Sequence, residues 1–524
     1  MTAYKQADIA IIGGGLGGCA AALAAAKAGR RVIMTEETDW IGGQLTSQAV
    51  PPDEHPWIEQ FGCTSSYREY RSRVREYYKR NFPLTEEARS RLQFNPGSAT
   101  VSRISHEPRV ALAVLRDMLA PYIHSGKLTI MDRHRAVHAE REGDSVRAIH
   151  VSDEASGEIS VLTAAYFLDA TEEGDVLPIT GTEYVTGAES AAQTGEPHAL
   201  PGQADPADMQ AFTWCFVVDH IEGEDHTIAK PAQYEFWKQY RADFWPDKQL
   251  SWTGLVPHTL EPIRYSLFPD GQSFSLWQYR RFIDRSQFAE GSFDSDITVV
   301  NWPQNDYWLG SIIDVSPEER EKHLENARQL SLSLLYWMQT EAPRPDGGKG
   351  YPGLRLRPDV TGTADGLAKS PYIRESRRIA AECTVVEQHL SPASRPEGKA
   401  MDYFDSVGVG CYRIDLHPST GLRTYIDVPS LPFQIPLGSL IPVRTNNLLA
   451  ACKNIGTTHI TNGCYRLHPV EWNIGESAGY LAAYCIEHGI EPRAVRNDGK
   501  HLKAFQQLLV QAGIELRWPS IGAV

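Results

Sequence analysis

Three rhythms of apolar and polar positions divide the chain. The first opens with a short apolar run, DIAII from Asp8 to Ile12, which predicts a strand buried on both faces. GGGLGG, Gly13 to Gly18, interrupts it. The alanine-rich stretch Cys19 to Ala28 then predicts a helix, Gly29–Arg30 a turn, and Arg31 to Thr35 a second strand ending at Glu36. The far end of the chain returns to this rhythm. Leu448 to Cys452 reads as a strand, followed by a loop and a helix from about Val470 through Ala483.

Between about 191 and 435 the pattern changes to aromatics and turn residues, and seven of the twelve Trp lie between Trp214 and Trp308. Alternation over Ser273 to Tyr279 predicts antiparallel strands. A helix is expected over about Pro317 to Thr340, with Ser316 as its cap, Pro317 at its first position and Glu318 and Glu319 in its first turn. Tyr372 to His389 predicts another helix, and ASRPEGKAM at 393–401 an exposed loop. Residues 51–100 are rich in Arg, Tyr and Glu and include a predicted helix, Tyr67 to Arg80, whose charges suit a solvated face.

The expected fold is α/β. A Rossmann-like nucleotide-binding domain would be assembled from 1–190, with 51–100 as a helical insertion, and from the closing segment 436–490. An inserted α+β substrate domain containing an antiparallel sheet would occupy 191–435, and a helical extension 491–524. The strand–turn–helix–strand–acid order around Gly13, Gly15 and Gly18 is a full dinucleotide fingerprint. Gly13 allows the tight turn, Gly15 lets a pyrophosphate approach the backbone, and Gly18 brings helix and sheet together. The helix N-terminus faces the phosphates with free N–H groups. Glu36 suits ribose hydroxyls, which favours FAD or NAD over a 2′-phosphorylated nucleotide.

Composition narrows the choice of partners. The 524 residues carry 51 Lys and Arg against 66 Asp and Glu, a net charge of −15, which argues against nucleic-acid binding. None of the eight cysteines is spaced as C-x-x-C, so buried thiols are expected rather than a disulfide frame, and no metal site is expected. No run of about 18 apolar residues predicts a membrane span. No signal sequence is visible, and a cytoplasmic protein is expected. A homodimer is the base-rate expectation.

After Glu36 the chain reads ETDWIGGQLTSQAV, and here it resembles the FAD-dependent oxidoreductases of the glutathione-reductase-like superfamily. Gly42 and Gly43 stand where those proteins carry a Gly-Gly pair, and the resemblance implies that Gln44 and Leu45 lie near the flavin. Asp169–Ala170–Thr171 looks like the superfamily's second flavin motif, with Glu172 in place of its glycine. The resemblance also implies adenine contacts from the strand around Val137. It places Asn473, Ile474 and Gly475 as backbone contacts at a helix start facing the flavin pyrimidine.

Blocks at 42–64, 301–307 (NWPQNDY), 372–378 (YIRESRR) and 410–419 (GCYRIDLHPS) are similar to one large family of FAD dependent oxidoreductases, many of whose members carry a xanthan lyase label. That label has no support in these residues, because eliminating a uronic acid needs no nucleotide fingerprint.

The expected chemistry is hydride transfer to a flavin with a protein group taking the proton. His55, His417, His459 and His468 sit in segments expected near the flavin. His468, which precedes Pro469 and the flavin-facing helix, is the first choice as base, with His459 next and His55 behind it. Arg466 would hold an anionic substrate or the reduced flavin's charge, or pair with Glu471 or Asp415. Asn301, Trp302, Asn305, Asp306 and Tyr307 read as a polar–aromatic wall for a hydroxylated ligand, or equally as a Trp-rich core.

The leading expectation is a dehydrogenase or oxidase acting on a C–OH or C–N carbon of a polar, carbohydrate-like small molecule. The alternatives are an NAD(P)H-reduced monooxygenase and a flavoprotein in which FAD is purely structural. The one hydroxylase-like pair, Asp365–Gly366, lacks the strand context, and Gly408-Val409-Gly410 leads into Cys-Tyr-Arg rather than a helix, so no separate NAD(P) domain is expected.

Overall fold

The computed structural model describes residues 3–519 and 521–523. The chain opens with β1 (Ile9–Ile12), α1 (Leu16–Lys27) and β2 (Val32–Glu36), each within a few residues of its expected bounds. Two long helices follow, α2 (Ser65–Asn81) and α3 (Pro108–His124), with a short one at Glu86–Ser90 between them, and then β3 (Leu128–Asp132). A meander of β4 (His134–Glu142), β5 (Ser145–Asp153) and β6 (Ile159–Thr163) leads to β7 (Tyr166–Asp169). The middle of the chain contributes β8 (Phe216–His220), β9 (Arg281–Ile283), β10 (Ile297–Val300), α4 (Pro317–Thr340) and β11 (Leu354–Leu356). Near its end come β12 (Leu448–Ala450), α5 (His459–Tyr465) and α6 (His468–His488).

A five-stranded parallel sheet in the order β12–β7–β1–β2–β3 organises the first rhythm. Every residue of β1, β2, β7 and β12 is buried, as continuous apolar strands covered on both faces must be. Helices α1 and α6 lie against each other so closely that a side chain at Gly475 would overlap the Gly17 backbone, and one at Gly479 the Ala21 backbone. Strand β12 and helix α6, far along the chain, thus complete a unit begun by β1 and α1.

Strands β9–β10–β8–β11 form a separate sheet, antiparallel throughout, built from β-branched runs such as ITVV. Ser316 caps α4 by accepting from the Glu319 N–H at 3.2 Å. Seven cysteines are buried and Cys383 is half-buried, all as free thiols. Among the described residues no helix is long and apolar enough to cross a membrane.

Three local expectations fail, for identifiable reasons. Ser273 to Tyr279 forms only a two-residue strand, Phe274–Ser275, paired parallel to Tyr265–Ser266, before a helical turn at Leu276–Tyr279. Tyr372 to His389 is not a helix. It runs extended, with a two-residue strand at Arg378–Ile379 and one 3-10 turn at Glu387–His389, because its charged side chains reach partners on different elements. The charges of α2 are not all solvated either. Arg71, 1% exposed, pairs with Glu54 at 2.8 Å and Glu59 at 2.7 Å, and Arg75 also holds Glu59.

Candidate active site

The glycine turn opens at the carboxyl edge of the parallel sheet onto a cleft of about 660 Å³, part of it open to solvent. Gly13 turns with φ +99°, a region L-residues avoid, and a side chain there would overlap the Ala170 carbonyl. Gly15 precedes α1, which has no acid in its own first turn, although the Gly17 N–H there already donates to Glu471 Oε1 at 3.3 Å. Gly18 lies against the Gly13 carbonyl and serves packing.

Glu36 lines the outer cleft. Its Oε1 accepts from the Thr38 N–H at 3.0 Å and hydroxyl at 2.8 Å, and burial pushes its carboxyl up to about 7. Gly42 and Gly43 start the 3-10 turn Gly43–Leu45. Gly43 faces the cleft, while Gly42 and the buried Leu45 are absent from its lining. Ala170 and Thr171 line the opposite wall, with the Thr171 N–H and hydroxyl both donating to Asp169 Oδ1.

Other expected cofactor contacts lie elsewhere. Val137 is 40% exposed and sits at a β-bulge between Ala136 and His138, while the same strand lines the cleft through His134, Arg135 and Ala136. Helix α6 starts at His468, so Asn473, Ile474 and Gly475 sit in its second turn, where backbone N–H groups are committed within the helix. The Asn473 side chain ties the helix to Val407 and Val409, and Gly475 packs on Gly17.

Gln44 lies beyond the inner end of the cleft. Its Nε2 donates to Glu471 Oε2 at 2.5 Å and to the Arg466 carbonyl at 3.1 Å. Both partners only accept, which fixes the orientation of the amide and leaves Oε1 buried without a partner.

The four histidines separate sharply. His468 is fully buried. The Asp53 N–H donates to its Nδ1 at 3.1 Å, so Nε2 carries the proton toward the Val50 carbonyl at 3.3 Å. Burial pushes its pKa down to about 4. No lone pair remains for a substrate proton, which corrects its first-choice role as base. His55 donates from Nε2 to the Gly62 carbonyl at 3.0 Å, and its ring centroid lies 5.1 Å from that of Trp518, an aromatic packing role outside the cleft lining. His459 is enclosed: Arg423 donates to Nε2 at 2.9 Å, and Nδ1 faces both Glu375 oxygens at 3.0 Å.

His417 differs from the other three. Its Nδ1–H donates to Asp306 Oδ2 at 2.6 Å, the side chain is 19% exposed, and Nε2 faces Asp415 at 3.8 Å. Asp306 also holds Arg374 at 3.0 Å and accepts from the Thr213 hydroxyl. The Arg374 guanidinium lies 4.8 Å from the Tyr372 ring centre, and the Tyr372 hydroxyl accepts from Arg466 at 2.9 Å. Arg466 closes the circle on Asp415, at 2.9 Å to its carbonyl and 3.3 Å to its carboxylate, and does not pair with Glu471.

Burial lowers the pKa of His417. Burial alone would raise Asp306, but Arg374 and His417 outweigh it and hold the carboxyl below its ordinary range. Asp53 is held low in the same way by Arg280, which it pairs at 2.9 Å, and by His468 and Arg466. Trp302, Asn305 and Tyr307 are core residues rather than a ligand wall. Asn305 spends its amide on Trp214 and Val300 carbonyls and the Ser331 hydroxyl, and only Asp306 and Asn301 reach the ring of contacts.

The ring lies next to the cleft, since Tyr372 stands between the cleft-lining Pro371 and Ile373, and Arg466 is bonded to Gln44. Buried polar atoms without partners gather there: Gln44 Oε1, Gln48 Nε2, Arg466 Nε, Arg374 Nε, Arg280 Nε and Asn301 Nδ2. Proteins pair roughly nine-tenths of such atoms. This concentration, with the glycine turn and Glu36, fits FAD, whose ring carries several acceptors and one imide N–H. Among the described residues no cluster of His, Cys, Asp or Glu could hold a metal ion.

Sequence reasoning named His417 without ranking it, and it missed Asp306 as its partner. The signal lay in the blocks at 301–307, 372–378 and 410–419, which the fold brings together through Asp306, Arg374 and His417.

A family model described as FAD dependent oxidoreductase matches residues 8–509. No curated protein matches the sequence. Among solved structures, a geranylgeranyl bacteriochlorophyll reductase-like protein from Thermoplasma acidophilum aligns with 98% of this chain and 85% of its own, at 10% identity and TM-score 0.36. p-Nitrophenol 4-monooxygenase from Pseudomonas putida aligns with 98% of this chain and 88% of its own, at 10% identity and TM-score 0.35. L-Proline dehydrogenase from P. horikoshii aligns over 36% of this chain, at 14% identity and TM-score 0.20, and the chain spans 24% of that protein's length.

Proposed function

The chain belongs to the FAD dependent oxidoreductase family, and on that premise we propose that it takes a hydride from a C–OH or C–N carbon of a polar, uncharged small molecule, with His417 receiving the proton. FAD, when bound, supplies the two-electron acceptor. Residues 191–435 are the inserted substrate domain, and the cleft residues Gly13, Gly15, Glu36, Gly43, Ala170 and Thr171 hold the dinucleotide as in the glutathione-reductase-like superfamily.

The observation that carries this reading is the 2.6 Å Asp306–His417 bond on a histidine that is 19% exposed and whose Nε2 faces Asp415 at 3.8 Å. Asp306 fixes the tautomer with the proton on Nδ1, so Nε2 presents a lone pair. The lowered pKa keeps that lone pair free at neutral pH. As the substrate's X–H bond breaks, its proton passes to Nε2 while the carbon's hydride leaves with its electron pair. Asp306 stabilises the imidazolium that results. The substrate class follows from charge. Arg280, Arg374 and Arg466 are each already matched by Asp53, Asp306 and Asp415, so no cation is left over for an anionic substrate.

The test is anaerobic flavin bleaching with a panel of sugars, polyols and amines, beside NADH and NADPH. Bleaching by a neutral polyol or amine, with an acid limb below pH of about 6.5, is expected. Rapid bleaching by either nicotinamide and by nothing else would overturn the reading.

A further inference from the structure

Glu172 stands where the second flavin motif of similar proteins has glycine, and its carboxylate enters the cradle framed by the glycine turn. Its Oε1 lies 2.6 Å from where a β-carbon on Gly15 would be, and would overlap one on Gly43. That oxygen is buried and has no hydrogen-bond partner. The other oxygen is ion-paired to the fully buried Lys453 ammonium, whose second neighbour is Glu471 at 3.8 Å. Glu471 in turn accepts from the Gly17 N–H in the first turn of α1 at 3.3 Å. A row of two carboxylates on one ammonium therefore crosses the positive end of α1, the place where a diphosphate gains most from the helix.

We propose that Glu172 sets the cofactor's affinity by charge: it holds a negative charge against the FAD diphosphate, Lys453 moderates that charge, and the result is an exchangeable rather than a tightly held cofactor. The inference rests on the cleft being the FAD site. Like charges a few ångströms apart in a partly buried setting repel strongly, and salt weakens the effect. The open Oε1 accepts no bond that would compensate. Replacing Glu172 by its neutral isostere keeps the shape and removes the charge.

The experiment strips the full-length holoenzyme of flavin and retitrates it with FAD and with riboflavin, which has no diphosphate, following flavin fluorescence. Glu172→Gln is expected to bind FAD about tenfold more tightly than the unsubstituted chain at low salt, to converge with it at about 1 M salt, and to bind riboflavin equally. Lys453→Gln is expected to shift FAD affinity the opposite way, and Lys453→Arg to restore it. Weaker or unchanged FAD binding in Glu172→Gln overturns the proposal, as does a gain shared by riboflavin or one indifferent to salt. Gly13→Val is the separate control. Undiminished FAD binding in that variant would sink the assignment of the cleft itself, whatever Glu172 does.

Discussion

The cleft and the ring around His417 are neighbours and opposite in protonation. In the cleft, burial dominates: it pushes Glu36 and Glu173 up to about 7, with like-charged neighbours reinforcing the shift. In the ring, Asp306, Asp53 and nearby Glu375 are held below the ordinary carboxylate range although burial pulls the other way. In the cleft, burial and the Asp175 charge outweigh even Arg320, 2.8 Å from Glu173, whereas in the ring the paired arginine wins. Arg374 meets Asp306, Arg280 meets Asp53, and Arg378 meets Glu375. The cleft is built to receive charge and hydrogen-bond donors from a ligand. The ring carries its own compensation and keeps one nitrogen for chemistry.

That contrast can be broken most severely at His417. His417→Ala should slow substrate-driven flavin bleaching by about 10²–10⁴-fold while leaving the flavin spectrum intact, read by anaerobic stopped flow. Next comes the ion pairing itself. Arg280→Met strands a buried carboxylate and should cost about 3–5 kcal/mol in urea unfolding, most of it recovered in the double variant Arg280→Met/Asp53→Leu.

The cleft should behave in the reverse sense. The pKa of Glu36 in the folded chain, about 7, lies above its ordinary 4.5. Its stabilising contribution is therefore full at low pH and lost as pH rises through about 7. Glu36→Gln should match the unsubstituted flavin-free chain at about pH 4 and exceed its stability by about 3 kcal/mol at about pH 8, by thermal melts.

The smallest effect belongs to His468. Its folded pKa, about 4, lies below the ordinary 6.5, so stability is present above 6.5 and lost as pH falls. His468→Gln should remove roughly 0.5–1 kcal/mol of stability change between about pH 7 and pH 6. It should leave the acid limb of flavin bleaching unmoved. A shifted limb would return His468 to the role of base.

The two regions also differ in how far they can be read from sequence. The turn at Gly13 and the cap at Ser316 are local: their geometry is decided by residues within a few positions, so β1, α1, β2 and α4 follow from spacing alone. YIRESRR is decided elsewhere. Arg374 finds Asp306, Glu375 finds His459, Arg377 finds Asp314 and Arg378 finds Glu189, so an even scatter of charges that reads as a helix face is an extended strap between four partners. His417 was hard to rank for the same reason, since its value comes from Asp306, more than a hundred residues away. Val137 sits at a β-bulge beside Ala136, a backbone irregularity that the apolar pattern does not announce.

Helix α1 is buried from Leu16 to Ala26 on every side, with no face suited to water, and α6 supplies the surface it needs. Synthesis runs from the amino terminus, so a ribosome must deliver more than four hundred further residues before α1 can be covered. During that interval an alanine-rich segment stays exposed, as long-range contacts that close late leave their partners waiting. A nascent or truncated chain lacking α6 should therefore be a client for chaperones and prone to clumping, and the nucleotide cradle comes into being only once α6 has emerged.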